Sequence, residues 1–449
     1  MTITANQLIV KIRALAPNAS GYWVAYSGGL DSQVLLHALA AGREQLPASV
    51  GALHINHNLQ PDASAWAEQC RAVCTELGIA YRSLSVQAHA QPGESPEAAA
   101  RAARYQALVD AVPEGGVLLT AHHQDDQAET LLLQLVRGAG PKGLAAMPER
   151  AMLGDVPLLR PLLDVSRAAL LAYAEQHGLR WLEDPTNAST EYDRNFLRHE
   201  ILPRVRRRWP AAGATLARAA RHQAEAAGLL DDLAAVDAQC AAGGAPMSLS
   251  VAALLRLTAP RRANLLRHWL RQRRASVPST AVWARIEADV LHAAVDAQPL
   301  VSWGGVNLRR YRDNLYLDDV LEESDPSRCL DWSLDQSLPL VGGTLSAERT
   351  HGEGVAMRYL ADSRIQVRFR QGGEMLRPAG RREHHSLKHL FQEAGVPPWE
   401  RARVPLIYRD DTLIAVAGYW VCAEFQATAD EPGMRFFWSR AIVPTGSFW

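Results

Sequence analysis

Two short stretches of the chain place chemically capable side chains at fixed spacing. In the first, Ser27, Gly28, Gly29, Leu30, Asp31 and Ser32 link the apolar run GYWVAY to the helix-like run SQVLLHALAAG. Adjacent glycines weaken a helix by roughly 1 kcal/mol each, so they belong to a turn. A glycine turn between a strand and a helix points backbone N–H groups at an anion, and the helix start adds partial positive charge. This is how a phosphate cradle is built. The lysine of a G-x-x-x-x-G-K-S/T loop is missing, and so is the G-x-G-x-x-G dinucleotide pattern. Asp31 would repel a phosphate unless Mg2+ lay between them, and Mg2+ favours one or two carboxylates together with phosphate oxygens.

In the second stretch, TAHHQDDQAETLLLQLV, Asp126 and Glu129 are three residues apart and so are neighbours on a helix. At 100° per residue their mean direction lies about 120° from the stripe of Leu131, Leu132, Leu135 and Val136. The leucines are therefore expected in the core and the two acids in a crevice. There a carboxylate pair can hold an ammonium and then take its proton. The same spacing also suits acids that complement a helix start. His122 and His123 lack the further ligands a metal site needs and read as hydrogen-bonding or packing groups, with Asp125 a cap or a solvated acid.

The elements that must position these residues alternate in type. GYWVAY, VGALHINHN, YRSLSVQA and GVLLTAHH read as strands, each followed by a helix-like run. That order predicts a parallel, Rossmann-like α/β sheet covered on both faces. Ligands of such sheets bind beyond the carboxyl ends of the strands, so YSGGLDS and TAHHQDD are expected to face one crevice. Residues 211 to about 295 are alanine-rich and helical, and β signals return from QPLVSWGG onward. The expected organisation is a catalytic α/β domain at 1–210, a mainly helical domain at 211–325, a linker at 326–350 and a small α+β domain at 351–449.

At 449 residues the chain exceeds one core, and its formal charge of −1 gives no overall push toward nucleic acid or membrane. The charges are nevertheless segregated along the chain. Cationic side chains are almost all arginine, the planar partner of phosphate; the lysines are Lys11, Lys142 and Lys388. The five cysteines form no C-x-x-C pair and read as reduced, structural thiols. No leader pattern opens the chain, and no run approaches the roughly 18 apolar residues of a membrane span. A cytoplasmic location without membrane insertion is expected.

SGGLDS resembles the PP-loop of the N-type ATP pyrophosphatases, which cleave ATP between the α and β phosphates and adenylate a substrate oxygen. Three further stretches, TAHHQDDQAETLLLQLVRGAGPKGL, HINHNLQPDASAWAEQC and EDPTNASTEYDRNFLRHEILP, are similar to signatures of the tRNA(Ile)-lysidine synthetases, and LKHLFQEAGVPPWERARVPLIYRDDTLIAVAG resembles the C-terminal domain of longer members. The resemblance implies ATP-dependent attachment of free L-lysine to C2 of the wobble cytidine in an isoleucine tRNA with anticodon CAU. The cytidine would pass through an adenylated intermediate, giving lysidine, AMP and pyrophosphate. ATP and Mg2+ are the implied cofactors, and a homodimer is compatible with the family.

The resemblance assigns Ser27 to Ser32 to the pyrophosphate end of ATP, with Asp31 a possible Mg2+ contact. It assigns Asp126 and Glu129 to lysine, and Arg104 to a phosphate or to the cytidine. Arg137 and Lys142 read as phosphate contacts in a loop. The attacking amine must be neutral, and deprotonating lysine at pH 7 costs about 4.6 kcal/mol, which a nearby carboxylate can offset.

A tRNA also needs a phosphate-reading surface. RNFLRHEILPRVRRRW gathers Arg194, Arg198, Arg204, Arg206, Arg207 and Arg208, and eight arginines and no acid lie between Val251 and Ile286. A third cluster comprises Arg364, Arg368, Arg370, Arg377, Arg381 and Arg382. At least one cluster is expected to touch tRNA. The rivals are a PP-loop tRNA thiolase, which needs a reactive cysteine pair near the loop, and a non-catalytic nucleotide- or RNA-binding protein.

Overall fold

A computed structural model describes residues 4–56, 63–86, 96–183, 189–294, 297–319, 325, 327–361 and 363–440. The chain divides into two compact units, Met1–Asp232 and Leu233–Phe448.

The first unit is built on a six-stranded sheet. Helix α1 (Ala5–Leu15) is capped by Thr4, whose hydroxyl accepts the Gln7 N–H. Then follow β1 (Gly21–Ala25), α2 (Leu30–Ala41), β2 (Ser49–Asn56), α3 (Ala63–Glu76), β3 (Ala80–Ser85), α4 (Pro96–Ala111), β4 (Val117–Leu119) and α5 (Gln124–Val136). A short α6 (Pro141–Leu144) leads to the strands β5 (Arg150–Leu153) and β6 (Val156–Leu159), then α7 (Arg167–Gln176). The spatial order is β3-β2-β1-β4-β6-β5, parallel throughout except β5. All four expected strands are present. The β5–β6 hairpin is an addition; its strands are only four residues long and one holds Pro157, too little for a strand pattern to show.

The order reverses between β1 and β4, which opens a crevice at the carboxyl ends of those two strands. Helix α2 is fixed there because it is buried almost all round: Val34, Leu35, Leu36 and Leu39 pack with Tyr22 and Val24 of β1. Beyond α7, α8 (Asp193–Phe196) runs into a π-helical turn, Leu197–Ile201, and then α9 (Leu202–Arg208) and α10 (Ala212–Cys240). Pro203 explains the π turn. It has no N–H to donate, and its ring crowds the carbonyl four residues earlier, so the helix widens.

The second unit begins with helices Val251–Arg256, Ala259–Gln272 and Thr280–Arg285. They share a core with a four-stranded antiparallel sheet made of Leu249–Ser250, Leu300–Trp303, Val306–Tyr311 and Asn314–Asp319. Helices outweigh strands in this part, and the small sheet is an addition to them. The stretch expected as a linker is also structured: Leu338–Leu340 and Gly343–His351 are strands, the latter paired along its length with Pro432–Arg440. The C-terminal part is α+β, with five- and four-stranded sheets and the helices Leu387–Glu393 and Pro398–Arg401. Among the described residues no helix is long and apolar enough to cross a membrane.

Candidate active site

The glycine turn lies where β1 meets α2. Gly28 has φ +83°, a left-handed conformation that suits glycine, and Gly29 is the N-cap of α2 with no side chain to block the helix start. The first N–H groups of α2 therefore remain open to an anion. Ser27 and Ser32 tie the turn, their hydroxyls 3.0 Å apart, and Ser32 also donates to the Gly29 carbonyl at 3.0 Å. Leu182 closes the outside by donating its N–H to the Gly28 carbonyl.

A Cβ on Gly28 would stand 2.7 Å from Leu182 Cδ1 and 2.8 Å from Cys70 Sγ. Gly28→Ala is expected to cost about 2–4 kcal/mol, combining the left-handed penalty with overpacking. Urea unfolding checks the stability, and ATP-dependent pyrophosphate release checks the cradle.

Across the crevice, His123 is the N-cap of α5. Its Nδ1 accepts the Asp125 N–H at 3.2 Å, and its own backbone N–H donates to Asp126 Oδ2 at 2.9 Å. With Nδ1 accepting, the ring proton sits on Nε2. That nitrogen lies 3.5 Å from Asp31 Oδ2 and 3.5 Å from Asp126 Oδ2. Burial opposes charge on His123, but Asp31, Asp126 and Asp125 outweigh it and raise its pKa. One imidazole thus joins the glycine turn to the acid pair.

The acids are buried, and two arginines cover them. Arg194 donates Nε to Glu129 Oε2 at 2.8 Å and Nη2 to Asp126 Oδ1 at 3.1 Å. Arg198 donates Nε to Glu129 Oε1 at 2.7 Å, and Nη2 to Glu129 Oε2 at 2.9 Å and to Asp126 Oδ1 at 3.1 Å. Burial works against the charge of Asp126, but His123 and Arg194 hold its pKa below the ordinary carboxylate value. Burial likewise opposes charge on Arg198, and the bonds and charge of Glu129 and Asp126 more than compensate.

Helix α5 departs from the expected amphipathic picture. Asp126, Glu129 and Leu131 are buried, whereas Leu135 is 57% and Val136 79% exposed. The hydrophobic stripe was expected to face the core along its length, but only the first half of α5 is enclosed. Its polar face is packed against the arginines instead of opening freely to a crevice.

His122 lies beside the site, with its Nδ1 2.9 Å from Thr120 Oγ1. Desolvation first, then Arg160, Arg194 and Arg101, drive its pKa down to about 3 despite Asp126. The folded ring is neutral, while the unfolded chain takes up a proton near pH 6.5. Stability from this group is therefore present above about pH 6.5 and lost as pH falls toward 3. His122→Asn should reduce the loss of stability between pH 7 and pH 5 by about 1–2 kcal/mol, measured by urea unfolding at the two pH values.

The other expected residues are placed as follows. Arg104 stacks on the Tyr105 ring at 5.2 Å, and desolvation first, with the nearby charges of Arg101 and Arg194, lowers its pKa, so it belongs to the same electrostatic neighbourhood. Arg206 pairs with Asp125 at 2.9 Å, and Arg207 is exposed. Arg137 lies 3.6 Å from Asp193, and Lys142 2.9 Å from Asp231. Arg194 and Arg198, expected on a tRNA surface, are engaged with the acid pair. Part of the adenine-side stretch (57–62) and the DPTNA stretch (184–188) lie outside the described residues.

Several arginines in the basic clusters of the second unit are matched by acids from other elements. Arg261 pairs with Asp237, Arg262 with Glu287, Arg364 with Asp331, Arg368 with Asp411 and Arg381 with Glu393. Linear runs of one sign do not become equally charged surfaces once the chain folds.

The match to known proteins covers both units. Residues 2–205 match the PP-loop domain family, residues 249–316 the TilS substrate binding domain and residues 365–438 the TilS substrate C-terminal domain. A tRNA(Ile)-lysidine synthase of Coxiella burnetii is 46% identical over 98% of this chain and 97% of its own length. The chain belongs to the tRNA(Ile)-lysidine synthase family. It is accordingly a ligase with a PP-loop ATP-binding domain, a reading further supported by a tRNA(Ile)-lysidine synthase of Methylococcus capsulatus that is 44% identical over 94% of this chain and 96% of its own length. Among solved structures the chain is similar to a U34-tRNA thiolase of Methanococcus maripaludis, at 19% identity and a TM-score of 0.42 over 49% of this chain and 79% of that one.

Proposed function

We propose that this site ligates free L-lysine to C2 of the wobble cytidine of an isoleucine tRNA with anticodon CAU, consuming ATP. The observation that carries the reading is His123 Nε2, 3.5 Å from both Asp31 and Asp126, which makes the phosphate turn and the acid pair one site. Ser27 to Ser32 and the open start of α2 hold the phosphate tail of ATP. Asp31 Oδ1 is buried without a hydrogen-bond partner among the described residues, which fits a divalent cation ligand. Mg2+, when bound there, would neutralise the departing pyrophosphate.

Asp126 and Glu129 receive the ε-ammonium, and Asp126, which also faces His123, is the group placed to take its proton. Arg104 orients the cytidine or its activating phosphate. The body of the tRNA is gripped through arginines not committed to the pairs above, such as Arg207 of α9 and Arg382 of the C-terminal part.

A thiolase reading needs an activated cysteine. Cys70 does lie under the turn, but it is 1% exposed, and desolvation pushes its thiol, like that of Cys74, up to about 12. A buried, protonated thiol is inert.

The test is incubation of the full chain with isoleucine tRNA, ATP and isotopically labelled lysine, followed by nucleoside mass analysis. Labelled lysidine, with AMP release dependent on lysine, is the expected result. Thiolated nucleoside, or no modified nucleoside at all, would overturn it.

A further inference from the structure

The arginines over Asp126 and Glu129 stand against carboxylates, and so does Arg206. Three others at the carboxyl end of the sheet do not. Among the described residues Arg101, Arg104 and Arg160 make contacts, but none with an acid. Arg101 and Arg104 lie over the Tyr105 ring, 5.1 and 5.2 Å from its centre, and Arg101 Nη2 is 3.4 Å from the Tyr105 hydroxyl. Arg160 is 9% exposed. Its Nη1 donates to the Pro148 carbonyl at 2.8 Å, and its Nε is buried with no hydrogen-bond partner among the described residues.

Sheet alternation puts these groups together. Leu118 of β4 pairs with Leu158 of β6, and both share a core with Tyr105 and Leu108 of α4. Two residues further on, Thr120 and Arg160 fall on that same α4 face, and the contact of Thr120 Oγ1 with His122 Nδ1 carries it on to His122. Leu119 and Leu159 point the other way, into the core with Val34 and Leu35 of α2. The glycine turn therefore feeds a helix on one face of the sheet, and the three arginines gather at the end of the other. Burial first, then Arg160, Arg194 and Arg101, keep the His122 ring neutral, so the field of the cluster extends to the site.

A buried guanidinium left without a counter-charge is costly, and nothing in the described fold supplies one. The missing charge belongs to a ligand. Guanidinium groups are planar donors that suit phosphate oxygens. On the reading above, ATP has its anion site at the glycine turn, and the second phosphate-bearing substrate is the tRNA. We propose that Arg101 and Arg160, with Arg104 on the same tyrosine ring, bind the backbone phosphodiester next to the wobble cytidine. Holding that phosphate fixes where the strand enters and so directs the base toward the acid pair. The assignment rests on the reading that isoleucine tRNA is the substrate.

The test uses the full chain and isoleucine tRNA, either native or carrying one uncharged methylphosphonate linkage 5′ or 3′ of the wobble cytidine. Arg160→Met and Arg101→Met should each weaken binding of native tRNA about tenfold and make its log–log salt dependence shallower by about 1, while ATP affinity, read by calorimetry, stays within about twofold. One of the two neutral linkages should weaken binding by the native chain to a similar degree, and combining it with Arg160→Met should add less than about twofold. Arg101 is exposed, so its variant reports binding even if Arg160→Met lowers the urea midpoint.

Native tRNA affinity in both variants overturns the assignment, as does full additivity with both linkages. A loss of ATP affinity with tRNA binding intact gives the cluster to ATP and overturns it as well. The wider reading fails differently: the native chain then makes no lysidine from this tRNA, whatever the variants bind.

Discussion

Replacing Asp31 by alanine is expected to lower lysidine formation at least 10³-fold while leaving the urea midpoint of the first unit unchanged. The two oxygens of Asp31 differ: Oδ2 lies 3.5 Å from His123 Nε2, and Oδ1 is buried with no hydrogen-bond partner among the described residues. A buried acceptor with no donor does not stabilise a fold, so its removal costs little. Its value must lie in what binds there. A thousandfold loss corresponds to about 4 kcal/mol of transition-state stabilisation, the scale of one misplaced electrostatic partner in an enclosed site. Asp31→Asn is the informative companion, since it keeps the shape and removes the charge. Pyrophosphate release and nucleoside mass analysis read the chemistry, and denaturant unfolding reads the fold. If Asp31→Ala makes lysidine at native speed, the phosphate turn is not the ATP site.

The parts of this architecture legible from sequence are those fixed by local chemistry. Four strand-like runs, each followed by a helix-like run, predicted the sheet, and the placement of two motifs after its first and fourth strands predicted that they would meet. The parts not legible depend on partners far away in the chain. Leu135 and Val136 look like core residues on a helical wheel, yet the end of α5 leaves both of them exposed. Arg364 and Arg381 look like a phosphate surface until Asp331 and Glu393 arrive from other elements.

A signal for the arginine clamp was nonetheless present. Arg194 and Arg198 are spaced i, i+4 and Asp126 and Glu129 i, i+3, so in the sequence each pair reads as one face of a helix. Periodicity marks which residues share a face, and complementary charge at the same spacing marks which faces can meet. The residue type also mattered: lysine at 194 or 198 could not bridge two carboxylates with one planar head.

Glu129→Gln is expected to be the most destabilising single change within the cluster of two acids and two arginines. The native carboxylate is 1% exposed and receives three charge-assisted hydrogen bonds from two guanidinium groups. Neutralising it leaves two cations facing a buried amide, with Asp126 as their remaining acid. Breaking a buried pair by removing one partner costs about 3–5 kcal/mol, but both guanidinium groups are about a third exposed and can turn toward water, which brings the expected loss to about 2–3 kcal/mol. Arg198→Met approaches the pair from the other side and strands part of the charge on Glu129.

The double variant removes one charge of each sign, so its cost should fall short of the sum of the single changes by at least 1 kcal/mol. Agreement with simple additivity to within about 0.5 kcal/mol would mean that Glu129 and Arg198 are not one energetic unit. Activity should not follow stability here. The double variant regains fold but restores neither the ammonium acceptor nor the guanidinium, so lysidine formation stays at least 100-fold down in all three. That divergence separates a buried ion pair kept for rigidity from one that exists to be opened by substrate.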